Sequence, residues 1–215
     1  PSVYAWSGGW PFDKDGNRIE LNFDTCYPMV EGEDEQSHVR IGRVRKDTCP
    51  HCGGHMVDML VLDGRDERMK FLGIDGILTA VCCPNCVGFL QGPAFNSFTL
   101  DGGAEVFPSK LFDGEETTDC YVRPEDYKAL AENKYILGKA PVPLFYGACS
   151  DDVNTVCGFA NWVQDAEYTT CPRCKKPMKY LAQIQWDTVM DSTEGTLYIE
   201  LCPECHVVSM QHQQT

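Results

Sequence analysis

Thr48-Cys49-Pro50-His51-Cys52-Gly53-Gly54-His55-Met56 and Thr170-Cys171-Pro172-Arg173-Cys174-Lys175-Lys176-Pro177-Met178 carry the same pattern twice. Each Met opens an apolar run, Val57 to Leu62 and Tyr180 to Ile184, and each run leads to an acidic-Gly step, Asp75-Gly76 and Glu194-Gly195. A strand-like run then enters a closing pair, Cys83-Pro84-Asn85-Cys86 in the first case and Cys202-Pro203-Glu204-Cys205 in the second. The opening pairs are 122 residues apart and the closing pairs 119, so the register is nearly kept. Self-similarity of this kind marks an internal duplication, and it decides the fold before any single element is assigned. The alignment sets Cys82 opposite Leu201, which makes Cys83 the counterpart of Cys202 and Cys82 a packed thiol.

Two cysteines three apart on a tight turn converge on one ion, and two such knuckles supply the four thiolates of a tetrahedral structural zinc. Pro after the first Cys fixes φ at a value the turn accepts, and Gly53-Gly54 permits positive φ and places N–H groups where they can bond sulfur. The predicted ligands are Cys49, Cys52, Cys83 and Cys86 at one site and Cys171, Cys174, Cys202 and Cys205 at the other, with two structural Zn²⁺ per chain. Iron suits the same all-sulfur tetrahedron. A disulfide framework or a thioredoxin-like redox pair is the competing reading, but four Pro-containing knuckles matched in twos fit neither pattern. His51 or His206 could replace a thiolate, although four sulfurs per site leave no need for it. The remaining cysteines, Cys26, Cys82, Cys120, Cys149 and Cys157, read as small buried apolar side chains.

The intervals of 30 and 27 residues between knuckles suit a β-hairpin or small sheet with a knuckle at each end, a zinc ribbon. Met56–Leu62, Ile77–Val81, Tyr180–Gln185, Thr196–Leu201 and Val207–Gln211 are predicted strands, as are shorter pieces within Phe89–Leu100 and Ala104–Phe107. Along Thr196–Leu201 the residues Leu197, Ile199 and Leu201 share one face and Thr196, Tyr198 and Glu200 the other. His38 to Lys46 reads as a basic edge strand, neutralised in part by the acidic loop Glu31–Glu35. Val3 to Phe23 is rich in strand and turn signals, with a turn at Asp13–Gly16, and Asp113–Asp119 is a second acidic loop. Arg123-Pro124-Glu125-Asp126 is a helix start, and the helix is expected over Glu125–Asn133. The predicted fold is β-rich, all-β or α+β, internally duplicated, with two zinc-ribbon-containing lobes (residues 1–118 and 144–215) joined by a helical connector (119–143).

With 215 residues, 43% of them hydrophobic, the chain can bury a core. Eighteen Lys+Arg against 32 Asp+Glu give a formal net charge of −14. Such a charge opposes nucleic-acid backbones, whose affinity rests on Lys and Arg, so the nucleic-acid role common among zinc ribbons is not expected. It favours a basic protein partner, whose approach it would steer. No apolar run reaches the length of a membrane span, and Pro1-Ser2-Val3-Tyr4 does not begin a charged-then-apolar leader, so a cytoplasmic protein is expected.

The second half resembles the YwqG-like family of bacterial proteins through Gly158-x-x-x-Trp162-Val163-Gln164, then Cys171-Pro172-x-Cys174-x-x-x-Met178, Leu181-Ala182-Gln183-Ile184, Gly195-x-Leu197-Tyr198 and Cys202-Pro203-x-Cys205. The same order of elements is similar to the programmed cell death protein 2 family. The first half matches through Gly8-Gly9-Trp10-Pro11, its knuckles and Phe71 to Cys86. The resemblance implies a duplicated β-rich fold and non-enzymatic binding of another protein. YwqG-like proteins often stand as immunity proteins beside secreted bacterial toxins, and the eukaryotic relatives look like chaperones for a ribosomal protein.

Catalytic signatures are absent: no Gly-x-Ser-x-Gly, His-Glu-x-x-His or phosphate loop occurs. His38 and His212 show no evident partner, and Asp151-Asp152 and Glu115-Glu116 read as acidic surface loops. A closed four-thiolate site leaves no position for a reactive water. The expected function is an immunity protein that binds and neutralises a basic toxin domain; a zinc-ribbon adaptor or chaperone for a basic protein is the alternative.

Overall fold

The computed structural model describes residues 12–17, 19–34, 38–114, 116–150, 152–190 and 193–215. The expectations placed on Val3–Pro11, Glu35, Glu115 and Asp151 lie outside these residues. Among the described residues the strands are β1 (Cys26–Glu31), β2 (Val39–Arg40), β3 (Arg43–Thr48), β4 (His55–Asp63), β5 (Ile77–Cys82), β6 (Ala94–Phe98), β7 (Ala104–Val106), β8 (Tyr135–Leu137), β9 (Asn154–Cys157), β10 (Lys179–Gln185), β11 (Thr196–Cys202) and β12 (Val207–Gln213). Among the described residues one α-helix, α1 (Pro124–Glu132), is found, between β7 and β8. The protein is β-rich, and its duplication is visible in the backbone.

Each copy is an antiparallel hairpin between two knuckles, β4–β5 in the first and β10–β11 in the second. Val57 pairs with Cys82, Asp58 with Val81 and Leu60 with Ala80; Lys179 pairs with Leu201, Tyr180 with Glu200 and Ala182 with Ile199. The sequence offsets of the two hairpins therefore hold residue by residue, and both carry a bulge at the same place, Met59 in one and Leu181 in the other. The far ends agree as well: Gly64 donates its N–H to Gly76 O at 2.8 Å, and Trp186 donates to Gly195 O at 3.0 Å. A bulge raises the local twist and bends the strand, so its repetition gives both ribbons the same curl.

The copies diverge beyond the closing knuckle. In the second, β12 turns back and pairs with β11 from Thr196↔Gln213 to Cys202↔Val207. In the first, β6 leaves β5 and pairs with β12 instead. The result is an eight-stranded sheet in the order β7-β6-β12-β11-β10-β9-β1-β8, with all neighbours antiparallel. The first hairpin stays in a separate four-stranded sheet, where β4 pairs with β5 on one side and with β2 and β3 on the other. β1, β6 and β7 from residues 1–118 and β8 from the connector thus join β9–β12, and one sheet crosses both sequence boundaries.

Leu60, Leu62, Leu78 and Ala80 of the four-stranded sheet share one buried cluster with Leu197, Ile199, Leu201, Val208 and Met210 of the eight-stranded sheet. On the opposite face of β10 and β11, Tyr180 and Tyr198 pack with Ala160, Trp162 and Tyr168. β11 is consequently buried along its whole length. The two faces predicted for it are occupied as predicted, and each has its own cover.

The expected basic strand from His38 to Lys46 is broken into β2 and β3 at Gly42, whose φ is +86°. A Cβ there would lie 2.3 Å from the carbonyl oxygen of Leu130 in α1, so only glycine lets the chain pass the helix. The arginines of β3 are balanced by Asp58 and Asp47 rather than by the Glu31 loop: Arg43 Nε lies 2.5 Å from Asp58, Arg45 Nη1 3.0 Å from Asp58, and Arg45 Nε 2.8 Å from Asp47. The helix starts one residue earlier than expected, because Pro124 takes its first position and Asp126 accepts the N–H of Arg123 at 2.8 Å. The predicted turn at Asp13 forms, with Gly16 donating to Asp13 O at 3.1 Å.

Candidate metal centres

Cys49 and Cys52 sit on the turn between β3 and β4. Gly53 donates its N–H to Cys49 O at 2.9 Å, and Cys49 donates to Gly54 O at 2.7 Å. Gly53 closes this turn at φ +73°. Cys83 and Cys86 come after β5 on a second turn, where Cys86 and Val87 both donate to Cys83 O. The four sulfurs lie within 4.8 Å of one another, with Cys52 to Cys83 at 3.6 Å and Cys49 to Cys86 at 3.7 Å. A tetrahedron of thiolates about 2.3 Å from a central ion has edges of about 3.8 Å. A disulfide would need about 2.05 Å. The donor set and its spacing therefore fit a metal ion and do not fit disulfide pairing.

The N–H groups of His51 and Gly54 point at the sulfurs of Cys49 and Cys52, each at 3.4 Å. Gly53, expected to share that task, bonds the Cys49 carbonyl instead. Four thiols this close compete for protons: hydrogen bonds from Cys83 and Cys86 hold Cys49 below the ordinary thiol range, and the same contacts push Cys83 up.

The opening knuckle of the second centre repeats the backbone hydrogen bonds of the first. Lys175 donates to Cys171 O at 3.0 Å, Cys171 donates to Lys176 O at 2.9 Å, and Lys175 takes the left-handed φ of +62° that Gly53 takes in the first copy. Cys174 and Cys202 sulfurs lie 3.6 Å apart, and all four lie within 4.8 Å. The N–H of Lys176 draws the Cys174 thiol down to about 7. The surroundings differ: Arg173 bonds Cys205 O at 3.0 Å and its guanidinium stands 5.4 Å from the Phe107 ring centre, and Lys176 pairs with Glu204.

The histidines are engaged elsewhere. His51 meets Ser109 Oγ at 2.9 Å and the Glu116 carbonyl at 3.2 Å, one through each ring nitrogen, and His206 stacks on Phe98. His38 and His212, without evident partners in the sequence, have them in space: His38 lies 3.6 Å from Asp66, and His212 donates to Glu194 O at 2.9 Å. Cys82 is buried beside the first centre and is not part of it; burial holds its thiol well above the ordinary range. Cys26 and Cys157 face each other across β1 and β9, both buried, and burial pushes Cys26 up to about 11. Cys120 and Cys149 are exposed, which corrects the expectation that all five remaining cysteines are buried. Both lie outside the strands, Cys149 at the end of a short 3-10 turn, where no alternation dictates burial.

Asn85, inside the second knuckle of the first centre, carries no signal in the sequence. Its Nδ2 donates to Asp119 O at 2.9 Å and its Oδ1 accepts the Tyr121 N–H at 2.7 Å, tying a distant segment to the centre. No spacing pattern records a side-chain-to-backbone clamp of this kind.

Fold and site define a β-rich, duplicated protein with two buried four-cysteine centres able to hold metal. Its sequence is similar to that of YpfL, an uncharacterized protein of Salmonella typhimurium, at 26% identity over 220 residues. The whole chain is matched, and it spans half the length of that protein. No family model matches the chain, and no solved structure matches it. Among the described residues no helix is long and apolar enough to cross a membrane.

Proposed function

We propose that the protein acts by binding another protein, with a structural zinc in each centre, and that its partner is a basic toxin domain which it neutralises. The observation that carries this reading is the geometry of the centres. Each gathers four sulfurs at tetrahedral spacing at the base of a hairpin, a set that closes around an ion and fixes the fold instead of presenting an open coordination position to substrate. Soft thiolates at this spacing suit Zn²⁺. The net charge of −14 supports a basic partner, since complementary charge raises the rate of encounter. The resemblance of the second half to YwqG-like proteins supports the immunity role within that class, and the cytoplasm is where such a protein would meet its toxin.

Co-expression tests the proposal. Cells carrying the toxin gene encoded beside this one should grow when the protein is present, and the two chains should co-purify as a complex containing two zinc per copy of this protein. Failure to rescue growth sinks the immunity reading. Recovery of a basic housekeeping protein such as a ribosomal protein, with no toxin gene nearby, supports the chaperone reading drawn from the programmed cell death protein 2 resemblance.

A further inference from the structure

A segment of chain straps the first centre. Thr118 donates its N–H to the His51 carbonyl at 3.0 Å, and Asn85 grips Asp119 and Tyr121 from the other side. His51 and Asn85 belong to the two knuckles, so both knuckles hold the strap, and Cys120 sits between the two positions that Asn85 grips. Its residue is exposed, and its Sγ lies 3.9 Å from the Tyr127 hydroxyl. A Cβ on Gly54 would stand 2.6 Å from Cys120 Sγ and 3.4 Å from Cys52 Sγ. The two sulfurs thus crowd the same point above Gly54, with the Tyr127 hydroxyl also 2.6 Å from it, and a methyl group there would have to displace Cys120. Cys52 is also the half-buried ligand of a centre whose other three cysteines are buried, and a surface groove lined by Cys52, Gly54, His55, Cys120 and Tyr127 opens at this point.

The second centre is built differently. Glu204 stands where the first has Asn85 and pairs with Lys176, Lys176 stands where the first has Gly54, and no cysteine outside the centre is bonded to its knuckles among the described residues. The duplication therefore supplies an internal control.

We propose that Cys120 is a redox partner of Cys52, and that oxidation by a peroxide joins them in a disulfide that opens the first centre and leaves the second closed. The inference rests on the metal reading of the centres. The peroxide delivers one oxygen to the Cys120 sulfur, giving a sulfenic acid and one water. The Cys52 thiolate then attacks that sulfur, the S–S bond forms, and hydroxide leaves and takes a proton to become a second water. The two sulfurs lose two electrons in all and the peroxide gains them. The first centre keeps three thiolates, no longer closes a tetrahedron, and releases its ion. Outside the centres, exposure leaves Cys120 and Cys149 open to oxidant, while Cys26, Cys82 and Cys157 are shielded by burial; of the two exposed thiols, Cys120 is the one on the strap beside Cys52. Cys120 belongs to no strand or helix, so its side chain can turn toward Cys52 without disturbing a sheet.

The test treats the metal-loaded full chain with hydrogen peroxide, follows released metal with a coloured chelator, and maps disulfides and freed thiols by alkylation and peptide mass. The wild type should lose one of its two metal equivalents, with Cys52 linked to Cys120 and the freed thiols at Cys49, Cys83 and Cys86. Cys120→Ser should keep both equivalents at that dose. Gly54→Ala, which keeps every ligand and whose methyl would push the Cys120 sulfur and the Tyr127 hydroxyl aside, should slow the release. Equal release from Cys120→Ser, equal loss from both centres, or a different partner for Cys120 overturns the proposal. Metal content before oxidation separates the two readings: a chain that binds no metal refutes the metal reading, and the disulfide map of that same chain still decides the pairing.

Discussion

The side-chain oxygen of Asn96 accepts the backbone N–H of Val81 at 2.8 Å, and its nitrogen donates to the Thr79 carbonyl at 2.9 Å. Asn96 is on β6, the strand that deserted β5 to pair with β12. In the second copy the equivalent edge, that of β11, is satisfied by β12 itself. One buried amide thus replaces two ladder bonds that the first copy gave up when the halves merged.

Asn96→Ala should for this reason be costly. It strands a buried N–H and a buried C=O, and each such group costs about 1–3 kcal/mol. A loss of about 2–5 kcal/mol in denaturant unfolding of the metal-loaded protein is expected. Asn96→Asp, which near neutral pH keeps the acceptor but sets a carboxylate oxygen against the Thr79 carbonyl, should cost at least as much as Asn96→Ala. A loss under about 1 kcal/mol for Asn96→Ala would mean that water or a shifted strand serves β5 instead.

The duplication made the hairpins, their register and the sulfur sets legible, because each is encoded locally: a knuckle fixes a turn, and alternation fixes which residues face which way. The choice made by β6 was not legible, since pairing with β12 or β5 is a long-range decision between two suitable edges. β9 escaped for another reason. Its four residues, Asn154 to Cys157, are all buried yet half polar, so no apolar alternation marks them. Their burial is licensed by partners from the next hairpin: Asn154 Oδ1 accepts the Gln185 N–H at 2.7 Å and Nδ2 donates to Thr188 Oγ1 at 2.8 Å. The strap over the first centre is invisible for the same reason, as Asn85 reads in sequence as an ordinary turn residue.

Adjacent Cys82 and Cys83 should separate cleanly on substitution. Cys83→Ser removes a donor from the first centre, and metal analysis should show one ion per chain in place of two, with loss of the folding free energy that the ion supplies. Cys82→Ser should retain both ions and cost about 1–3 kcal/mol, the penalty for placing a hydroxyl in a site that is 1% exposed. If Cys82→Ser loses an ion and Cys83→Ser does not, the ligand assignment is wrong.

His212 gives the protein a pH dependence of definite sign. The half-buried ring packs edge-on to Trp186 and donates Nε2–H to Glu194 O, and burial holds its pKa below the ordinary histidine value of 6.5. The unfolded chain therefore takes up a proton before the folded one does as pH falls. Stability from this group is fully present above the unfolded value and drains away as pH drops through the folded one. Thiolate protonation also weakens the metal centres in acid, so the informative quantity is the difference between wild type and His212→Gln, which keeps a donor for Glu194 and cannot titrate. That difference should favour wild type near pH 8 and shrink or reverse toward pH 5 in chemical unfolding. A difference constant across the range would show that His212 is not held neutral by the fold.

Gly53 and Lys175 occupy one position in the two copies, at φ +73° and +62°, yet only one of them suits that conformation. The left-handed region costs an L side chain about 1–2 kcal/mol and costs glycine almost nothing. Nothing lies within 4 Å of the place a Cβ on Gly53 would take, so a substitution there meets no steric obstacle other than its own backbone. Gly53→Ala should destabilise the metal-loaded protein by about 1 kcal/mol, with both ions retained. Lys175→Gly should do the reverse by a smaller amount, because relief of the strained φ is offset by about 0.4–1 kcal/mol of added freedom in the unfolded chain. Paired unfolding curves decide it: the two substitutions should shift the midpoint in opposite directions. A stabilising Gly53→Ala would show that the first knuckle relaxes out of the left-handed conformation that the second one is held to.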